Sequence, residues 1–167
     1  VALDKTNGQL IWENGKGVCG YATPVPYEMG GQKCIALCAS NAIKGVKLDD
    51  GKVLWQYPFV NRYKVNASDP IVVGNDVFAS SGYDLGCVRV GINGGNAMKV
   101  WQNKNMRNHI NCSVFWKGHI YGFDESRLRC IDFKDGRVKW TDSSMGKGAL
   151  MMSADGRMVI ISDEGEL

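Results

Sequence analysis

The sequence has few of the residues that mark metal-binding, haem-binding or membrane-spanning proteins. It contains only two histidines and four prolines in 167 residues. None of its six cysteines is adjacent to another, and no Cys-x-x-Cys or Cys-x-x-Cys-His motif occurs. No apolar run approaches the roughly 20 residues of a membrane-spanning helix. The sequence therefore gives no support to a zinc, haem, thioredoxin-like or transmembrane interpretation.

Strong charge and helical periodicity are also missing. The formal net charge is +3 and the basic residues are scattered along the chain, so nucleic acid is not an expected partner. No stretch keeps a 3.6-residue hydrophobic period, and we expect essentially no helix. Free cysteine is commonly buried, and we expect the six cysteines to act as small hydrophobic residues in strands.

What the sequence does contain is a repeated hairpin that ends on tryptophan. Residues 130–140 read Cys-Ile-Asp-Phe-Lys-Asp-Gly-Arg-Val-Lys-Trp, two apolar runs around an Asp-Gly turn, which is a strong hairpin signal. Residues 2–12 repeat the small residue, Asp, Gly and Trp at the same offsets, and residues 45–55 repeat all but the Asp. A fourth copy at 90–101 carries extra residues around its glycines. A period of about 40 residues predicts a β-propeller or a similar array.

The segments between these hairpins are further short runs of β-branched and aromatic residues, separated by glycine and asparagine turns, and they indicate strands. We predict an all-β propeller fold of four-stranded antiparallel blades, with three full blades and two half blades. The whole chain would form a single domain or a segment of a larger propeller. The predicted units are a half blade at 1–14, blades at about 18–57, 65–103 and 109–142, and a half blade at 148–167.

The small-x-Asp-x-x-x-Gly-x-x-x-Trp pattern resembles the pyrroloquinoline-quinone (PQQ)-like repeat family over essentially the whole chain. That family includes quinoprotein dehydrogenases, the outer-membrane assembly lipoprotein propeller and many secreted bacterial propellers, which this chain resembles most. The resemblance implies that each tryptophan docks between blades, on a small residue and a turn glycine of a neighbouring repeat. The implied docking residues are Trp12, Trp55, Trp101 and Trp140, with turn glycines Gly8, Gly51 and Gly136 and small partners Ala2, Gly45 and Cys130.

The resemblance also implies what an enzyme of this family needs. A quinoprotein holds PQQ on a tryptophan beneath a ring of two adjacent cysteines, with Ca²⁺ bound by Glu, Asn and Asp oxygens and an Asp as base. This chain lacks adjacent cysteines, and most of its acidic residues lie in predicted turns. We therefore predict a non-enzymatic binding or scaffold propeller without cofactor or metal, which by resemblance is periplasmic or secreted. The alternative is a segment of a PQQ-dependent alcohol or sugar dehydrogenase, which would use PQQ and Ca²⁺.

Connections from an outer strand to the next inner strand should cross the mouth face of a propeller, and binding residues are common on such loops. We predict that a protein, peptide or glycan is recognised there. The candidate binding residues are Arg62, Tyr63, Arg107, Asn108, His109 and Asp124. The alternative is a set of loops that satisfy only their own polar groups. Under the first hypothesis, Arg107→Ala weakens binding without lowering stability, whereas Lys134→Ala on the opposite face leaves binding intact.

The two predicted half blades are complementary. Residues 1–14 would supply outer strands, and residues 148–167 would supply inner strands. A hairpin left alone exposes a strand edge and an apolar face. We expect the two to complete blades within this chain, with a second copy as a dimer, or with other parts of a longer parent chain.

Overall fold

The structure, a computed structural model, describes residues 1–15 and 17–167. These residues form β-strands and no helix, and so contain no helix that could cross a membrane. The first eight strands are β1 (Ala2–Leu3), β2 (Leu10–Trp12), β3 (Val25–Met29), β4 (Gln32–Cys38), β5 (Ala42–Lys47), β6 (Val53–Pro58), β7 (Ile71–Val73) and β8 (Asp76–Ser81). The next eight are β9 (Gly86–Asn93), β10 (Asn96–Asn103), β11 (Val114–Trp116), β12 (His119–Asp124), β13 (Arg127–Asp132), β14 (Val138–Asp142), β15 (Ala149–Met152) and β16 (Met158–Ile161).

The strands form three four-stranded antiparallel sheets and two hairpins, all in chain order. Blade 1 is β3 to β6, blade 2 is β7 to β10 and blade 3 is β11 to β14. The hairpins are β1 with β2 and β15 with β16. This confirms the predicted all-β class of four-stranded blades. The two terminal hairpins are separate sheets, so the chain does not join them into one blade by itself.

Hydrophobic cores lie between blades 1 and 2 and between blades 2 and 3, so blade 2 is covered on both faces. Strand β8 shows this best: Val77 enters the core shared with blade 1, and the next residue, Phe78, enters the core shared with blade 3. Adjacent side chains of a strand point to opposite faces, so a strand that is buried on both faces reads as a continuous apolar run. The first core also contains Ile43, and the second contains Ile120.

The antiparallel order places the turns at two opposite ends of the blades. We call one end the hairpin face; it carries the turns at 30–31, 48–52, 74–75, 94–95, 117–118 and 133–137. The other end, the mouth face, carries the turns at 39–41, 82–85 and 125–126 and the connections between blades at 59–70, 104–113 and 143–148.

Two of the repeat tryptophans lie against the turn glycine of the next blade. The indole Nε1 of Trp12 donates to the carbonyl of Leu48 at 2.8 Å, and that of Trp101 donates to the carbonyl of Phe133 at 3.0 Å. Each carbonyl lies three residues before a turn glycine, Gly51 or Gly136, and a Cβ atom on either glycine would collide with the indole ring. The same contact is therefore built twice, from residues that are related by the repeat.

Trp55 differs because the turn next to it differs. Its Nε1 donates to the Tyr27 hydroxyl of its own blade at 2.8 Å. The facing turn of blade 2 has only two residues, Gly94 and Gly95, whereas the corresponding turns of blades 1 and 3 have five. A cleft of about 610 Å³ remains here, between residues 53–56 and 95–98. The short turn in the copy at 90–101 therefore changes this blade contact.

Among the described residues, Trp140 and Gly8, the other two predicted docking residues, lack the tryptophan–glycine contact between blades. The side chain of Trp140 is 40% exposed, and a Cβ atom on Gly8 would meet no other atom within 4 Å. Trp116, which the repeat pattern does not single out, lies against Gly156 in the β15–β16 turn, where a Cβ atom would come within 2.9 Å of the indole ring. Gly45 lies against Trp55 of its own sheet, so the expectation of a tryptophan from a neighbouring repeat is wrong for this residue. The cross-strand pairs are Ala2 with Trp12, Gly45 with Trp55 and Cys130 with Trp140.

The cysteines are mostly core residues, as their placement in strands predicts. Cys34, Cys38, Cys87 and Cys130 are buried, whereas Cys112 is half-buried and Cys19 is exposed. Burial raises the pKa of the Cys38 and Cys87 thiols to about 12. These two thiols therefore stay protonated at neutral pH and pack as small apolar groups.

The contact of Trp101 with Gly136 can be tested by adding one methyl group. Gly136→Ala places a Cβ atom 2.8 Å from the Trp101 ring at a φ of 72°. Gly118→Ala, in the same blade, has a φ of 82° with no atom within 4 Å. We expect Gly118→Ala to cost about 1–2 kcal/mol through its backbone alone, and Gly136→Ala to cost about 1–3 kcal/mol more through overpacking. Urea unfolding measures both, and equal losses would contradict a docking role for Trp101.

Candidate functional site

Three aromatic side chains form a row on the mouth face. The rings of Tyr63 and Tyr83 have centroids 4.7 Å apart, and those of Tyr83 and His109 have centroids 4.6 Å apart, both edge to face. The guanidinium of Arg62 lies over the Tyr63 ring at 4.8 Å. We call Tyr63, Tyr83 and His109 the aromatic row. It joins two connections between blades and one turn of blade 2.

Four non-glycine residues of the mouth face have a left-handed backbone conformation. Lys64, Tyr83, Asp84 and Glu125 have φ angles of 56°, 56°, 67° and 57°. On the hairpin face, Lys117 is the one described non-glycine residue with such an angle, and glycine takes the other left-handed positions. Left-handed backbone costs a residue with a Cβ atom about 1–2 kcal/mol. The mouth face thus keeps side chains at positions where glycine would be more stable.

A buried carboxylate lies beneath this surface. Asp124 has no exposed side-chain area and accepts from Arg107 through Nε at 2.7 Å and Nη2 at 2.9 Å. The backbone N–H of Arg107 also donates to it at 3.1 Å. Arg129 lies at 2.7 Å and Arg127 at 3.5 Å from the same carboxylate. Its hydrogen bond with Asp124 raises the pKa of the Arg107 guanidinium, so this guanidinium stays charged at neutral pH.

Asn108 is also buried, and it holds the connection from within. Its side chain donates to the carbonyl of Phe123 at 3.1 Å and accepts from the Ser113 hydroxyl at 2.8 Å. Its backbone N–H donates to the Ser80 hydroxyl at 2.9 Å. The connection at 104–113 is therefore tied to both blades that it joins, to blade 3 through Phe123 and to blade 2 through Ser80.

The six predicted binding residues thus divide into two groups. Arg62, Tyr63 and His109 lie in or beside the aromatic row, whereas Asn108 and Asp124 are buried and Arg107 links the buried carboxylate to the surface. Tyr83 is not in the predicted set. The sequence feature that could have identified it is Tyr-Asp in the turn of a β-hairpin, at a place where Asn-Gly or Asp-Gly is typical.

Asp84 connects the row to the cations of the next connection. Its carboxylate accepts from Lys104 Nζ at 2.6 Å and lies 3.9 Å from Arg107 Nη1. The hydrogen bond from Lys104 lowers the pKa of Asp84. A small cleft of about 160 Å³ opens at the other end of the row, beside His109, with Ile110 and Phe123 among its lining residues.

The donors on this face do not fit PQQ with Ca²⁺. Calcium requires several convergent hard oxygens, but the one fully buried carboxylate, Asp124, is already bound by arginines. Within residues 1–15 and 17–167, no group of three His, Cys, Asp or Glu side chains could hold a metal ion. The sequence has no adjacent cysteines that could form the ring over a quinone.

The Asp124 cluster changes what we expect of Arg107. Removing one partner of a buried ion pair leaves the other uncompensated, so Arg107→Ala should lower stability, contrary to the expectation from the sequence. A binding test therefore needs residues that lie outside this cluster.

Asp124→Asn tests the cluster itself. The substitution keeps the shape but removes the charge that faces Arg107 and Arg129, whose side chains are 22% and 13% exposed. We expect a loss of about 3–5 kcal/mol in the free energy of unfolding. The matched control is Asp84→Asn, where the side chain is 68% exposed and an exposed pair contributes about 0–1 kcal/mol. Chemical denaturation measures both, and similar small losses would show that the buried charge is not important for stability.

Known proteins resemble the chain in both sequence pattern and fold. The sequence model of the family described as outer membrane protein assembly factor BamB matches residues 1–142. BamB from Moraxella catarrhalis superposes with a TM-score of 0.66 at 14% identity, over 98% of this chain and 55% of that one. The computationally designed Ika4 protein gives 0.59 at 15% identity, over 93% of this chain and 98% of that one.

An enzyme has a related fold as well. Quinohemoprotein alcohol dehydrogenase ADHIIG from Pseudomonas putida HK5 gives a TM-score of 0.53 at 14% identity, over 79% of this chain and 22% of that one. No curated protein sequence matches the chain significantly. At these identities the structural likeness shows the fold alone, and the chain spans about half the length of the BamB structure. Because the family's sequence model matches most of the chain and the structure repeats four-stranded blades, the chain belongs to the PQQ-like repeat propeller family that includes BamB.

Proposed function

We propose that this chain is part of a non-enzymatic scaffold propeller that binds a partner protein or peptide through its mouth face. The proposal rests on one observation. Four of the five described non-glycine residues with left-handed backbone lie on the mouth face, at Lys64, Tyr83, Asp84 and Glu125. Backbone strain of this kind is concentrated at ligand-binding and switch regions, and here it positions the centre of the aromatic row.

The chemistry of the row supports binding rather than catalysis. Tyrosine and arginine are the residue types most often found as interface anchors. The connection at 104–113 is tied down by Asn108 and Asp124, and the connection at 59–70 is tied down by Asn61, which accepts from the backbone N–H of Tyr63 and donates to the Ser81 hydroxyl. Little conformational entropy is therefore lost when these loops bind. The relationship to an outer membrane protein assembly factor supports a protein as the partner.

We also propose a periplasmic or secreted location and a larger assembly. The family's description as an outer membrane protein assembly factor supports the location. The hairpins β1–β2 and β15–β16 each leave strand edges unpaired within the described chain, and such edges readily pair with another chain. A longer parent chain or a second copy would complete these blades.

The mouth face can be tested by site-specific photo-crosslinking in the producing cells. Tyr63, 56% exposed, is replaced by photoreactive benzoylphenylalanine, and we expect discrete adducts of higher mass after irradiation. The control places the same residue at Lys134, in an exposed turn of the hairpin face. Adducts from position 134 alone, or equally from both positions, would mean that the partner binds elsewhere.

A second candidate function is part of a PQQ-dependent dehydrogenase, favoured by the fold of the alcohol dehydrogenase ADHIIG. We propose instead that the chain does not bind PQQ with Ca²⁺, because its buried carboxylate is bound by arginines. We expect no saturable change in tryptophan fluorescence when both are titrated to about 100 μM, a concentration above ordinary cofactor affinities. Saturable quenching that a chelator reverses would support the dehydrogenase.

A further inference from the structure

The aromatic row is surrounded by more positive than negative charge. Asp84 is met by Lys104 and Arg107, and Asp124 by three arginines. Glu125, at the far side of the row, is paired with Lys147 at 3.6 Å. Every carboxylate beside the row is thus matched by at least one cation.

Two further cations form no salt bridge within the described residues, although one of them, Arg62, lies close enough to Asp84 to help lower the pKa of that carboxyl. Arg62 and Lys64 flank Tyr63 in the connection at 59–70, and both are exposed. Within the described chain neither takes part in an ion pair, and Arg62 lies over the Tyr63 ring instead. Exposed cations without a salt bridge, next to an aromatic side chain, favour a ligand that carries carboxylates.

The geometry of the rings distinguishes between kinds of acidic ligand. Sugars and nucleobases bind by stacking on a flat aromatic face. One face of Tyr63 is covered by Arg62, and Tyr83 is enclosed edge to face between Tyr63 and His109. The row therefore offers ring edges and phenol hydroxyls rather than free faces, and these suit the amides and carboxylates of a polypeptide.

The cations are also spread along the row. Arg62 and Lys64 lie at the Tyr63 end, and Lys104 and Arg107 lie around Asp84 near its middle. At the His109 end, the cleft of about 160 Å³ has apolar lining from Ile110, which is 71% exposed, and Phe123. Cations without a salt bridge lie at one end, and a cleft with apolar surface from Ile110 and Phe123, next to the Glu125–Lys147 pair, lies at the other. This arrangement matches an extended segment several residues long.

From this arrangement we infer that the mouth face binds an extended acidic peptide segment of the partner protein. Its Asp and Glu side chains contact Arg62 and Lys64, and an apolar side chain enters the cleft beside His109. The inference rests on the proposed function, since it names the chemistry of the partner at that same site.

The experiment uses labelled peptides of twelve residues and fluorescence anisotropy with the purified chain. One peptide alternates Glu with Gly and ends on Leu, a second has Gln in place of Glu, and a third has Lys in place of Glu. We expect the Glu peptide to bind at least roughly tenfold more tightly than the Gln peptide, which corresponds to about 1.4 kcal/mol. Its affinity should fall as salt concentration rises, because exposed charges are screened.

Paired variants locate the site. The double variant Arg62→Gln with Lys64→Gln should weaken binding of the Glu peptide by about tenfold. The matched control, Lys52→Gln with Lys134→Gln, removes the same charge from exposed turns of the hairpin face and should leave binding unchanged. Equal weakening by both pairs would indicate general charge attraction and would overturn the inference.

Two further outcomes separate this inference from the proposed function. If position 63 gives crosslinks in cells but the Glu and Gln peptides bind equally, the mouth face binds a partner that is not acidic, and the inference is wrong. Tighter binding of a polyuronate oligosaccharide or a single-stranded oligonucleotide than of the Glu peptide would also overturn it. If neither crosslinks nor peptide binding occur, the proposed function fails as well.

Discussion

The packing of each blade on its neighbours is the constraint on which the rest of this structure depends. A single four-stranded blade exposes two apolar faces, and only another blade can cover them. Strand β8 shows the consequence, since Val77 and Phe78 are consecutive residues that belong to different cores. Tryptophan and glycine reinforce the packing where the turn is long enough, as between Trp101 and Gly136. Where the turn is short, as beside Trp55, the indole turns to its own blade.

The two ends of the blades carry different kinds of loop. The hairpin face carries turns that receive tryptophans, and glycine is required there because an indole ring lies where a Cβ atom would be. The mouth face carries the connections between blades, which are longer and can present polar side chains. Tyr83 and Asp84 occupy left-handed positions on this face even though they carry side chains. The tryptophan–glycine contacts between blades and the candidate binding surface therefore lie at opposite ends of the blades.

The buried polar residues connect these two requirements. Asp124 lies at the end of β12 and binds both the backbone and the side chain of Arg107, so it fixes the connection from blade 2 to blade 3. Asn108 ties the same connection to Phe123 and to Ser80. The connection that carries His109, at one end of the aromatic row, is thus already ordered. A ligand that binds to such a surface loses little affinity to loop ordering.

The sequence by itself determined the architecture and the location of the candidate site. The repeat of turn glycine and tryptophan is a local pattern that can be read from this one sequence. Short apolar runs at regular spacing are enough to predict the strands of the blades. The connections that hold Arg62, Tyr63 and His109 follow from the same spacing. What only the tertiary structure decided is which of those side chains are available. Asn108 and Asp124 read as surface loop residues but are buried, because other residues converge on them: Ser113 and Phe123, Arg107 of the connection, and Arg127 and Arg129 of β13. Tyr83 joins the row because a left-handed turn turns its ring toward residues 20 and 26 positions away. Such contacts depend on the stacking of blades, and no local pattern in the chain records them.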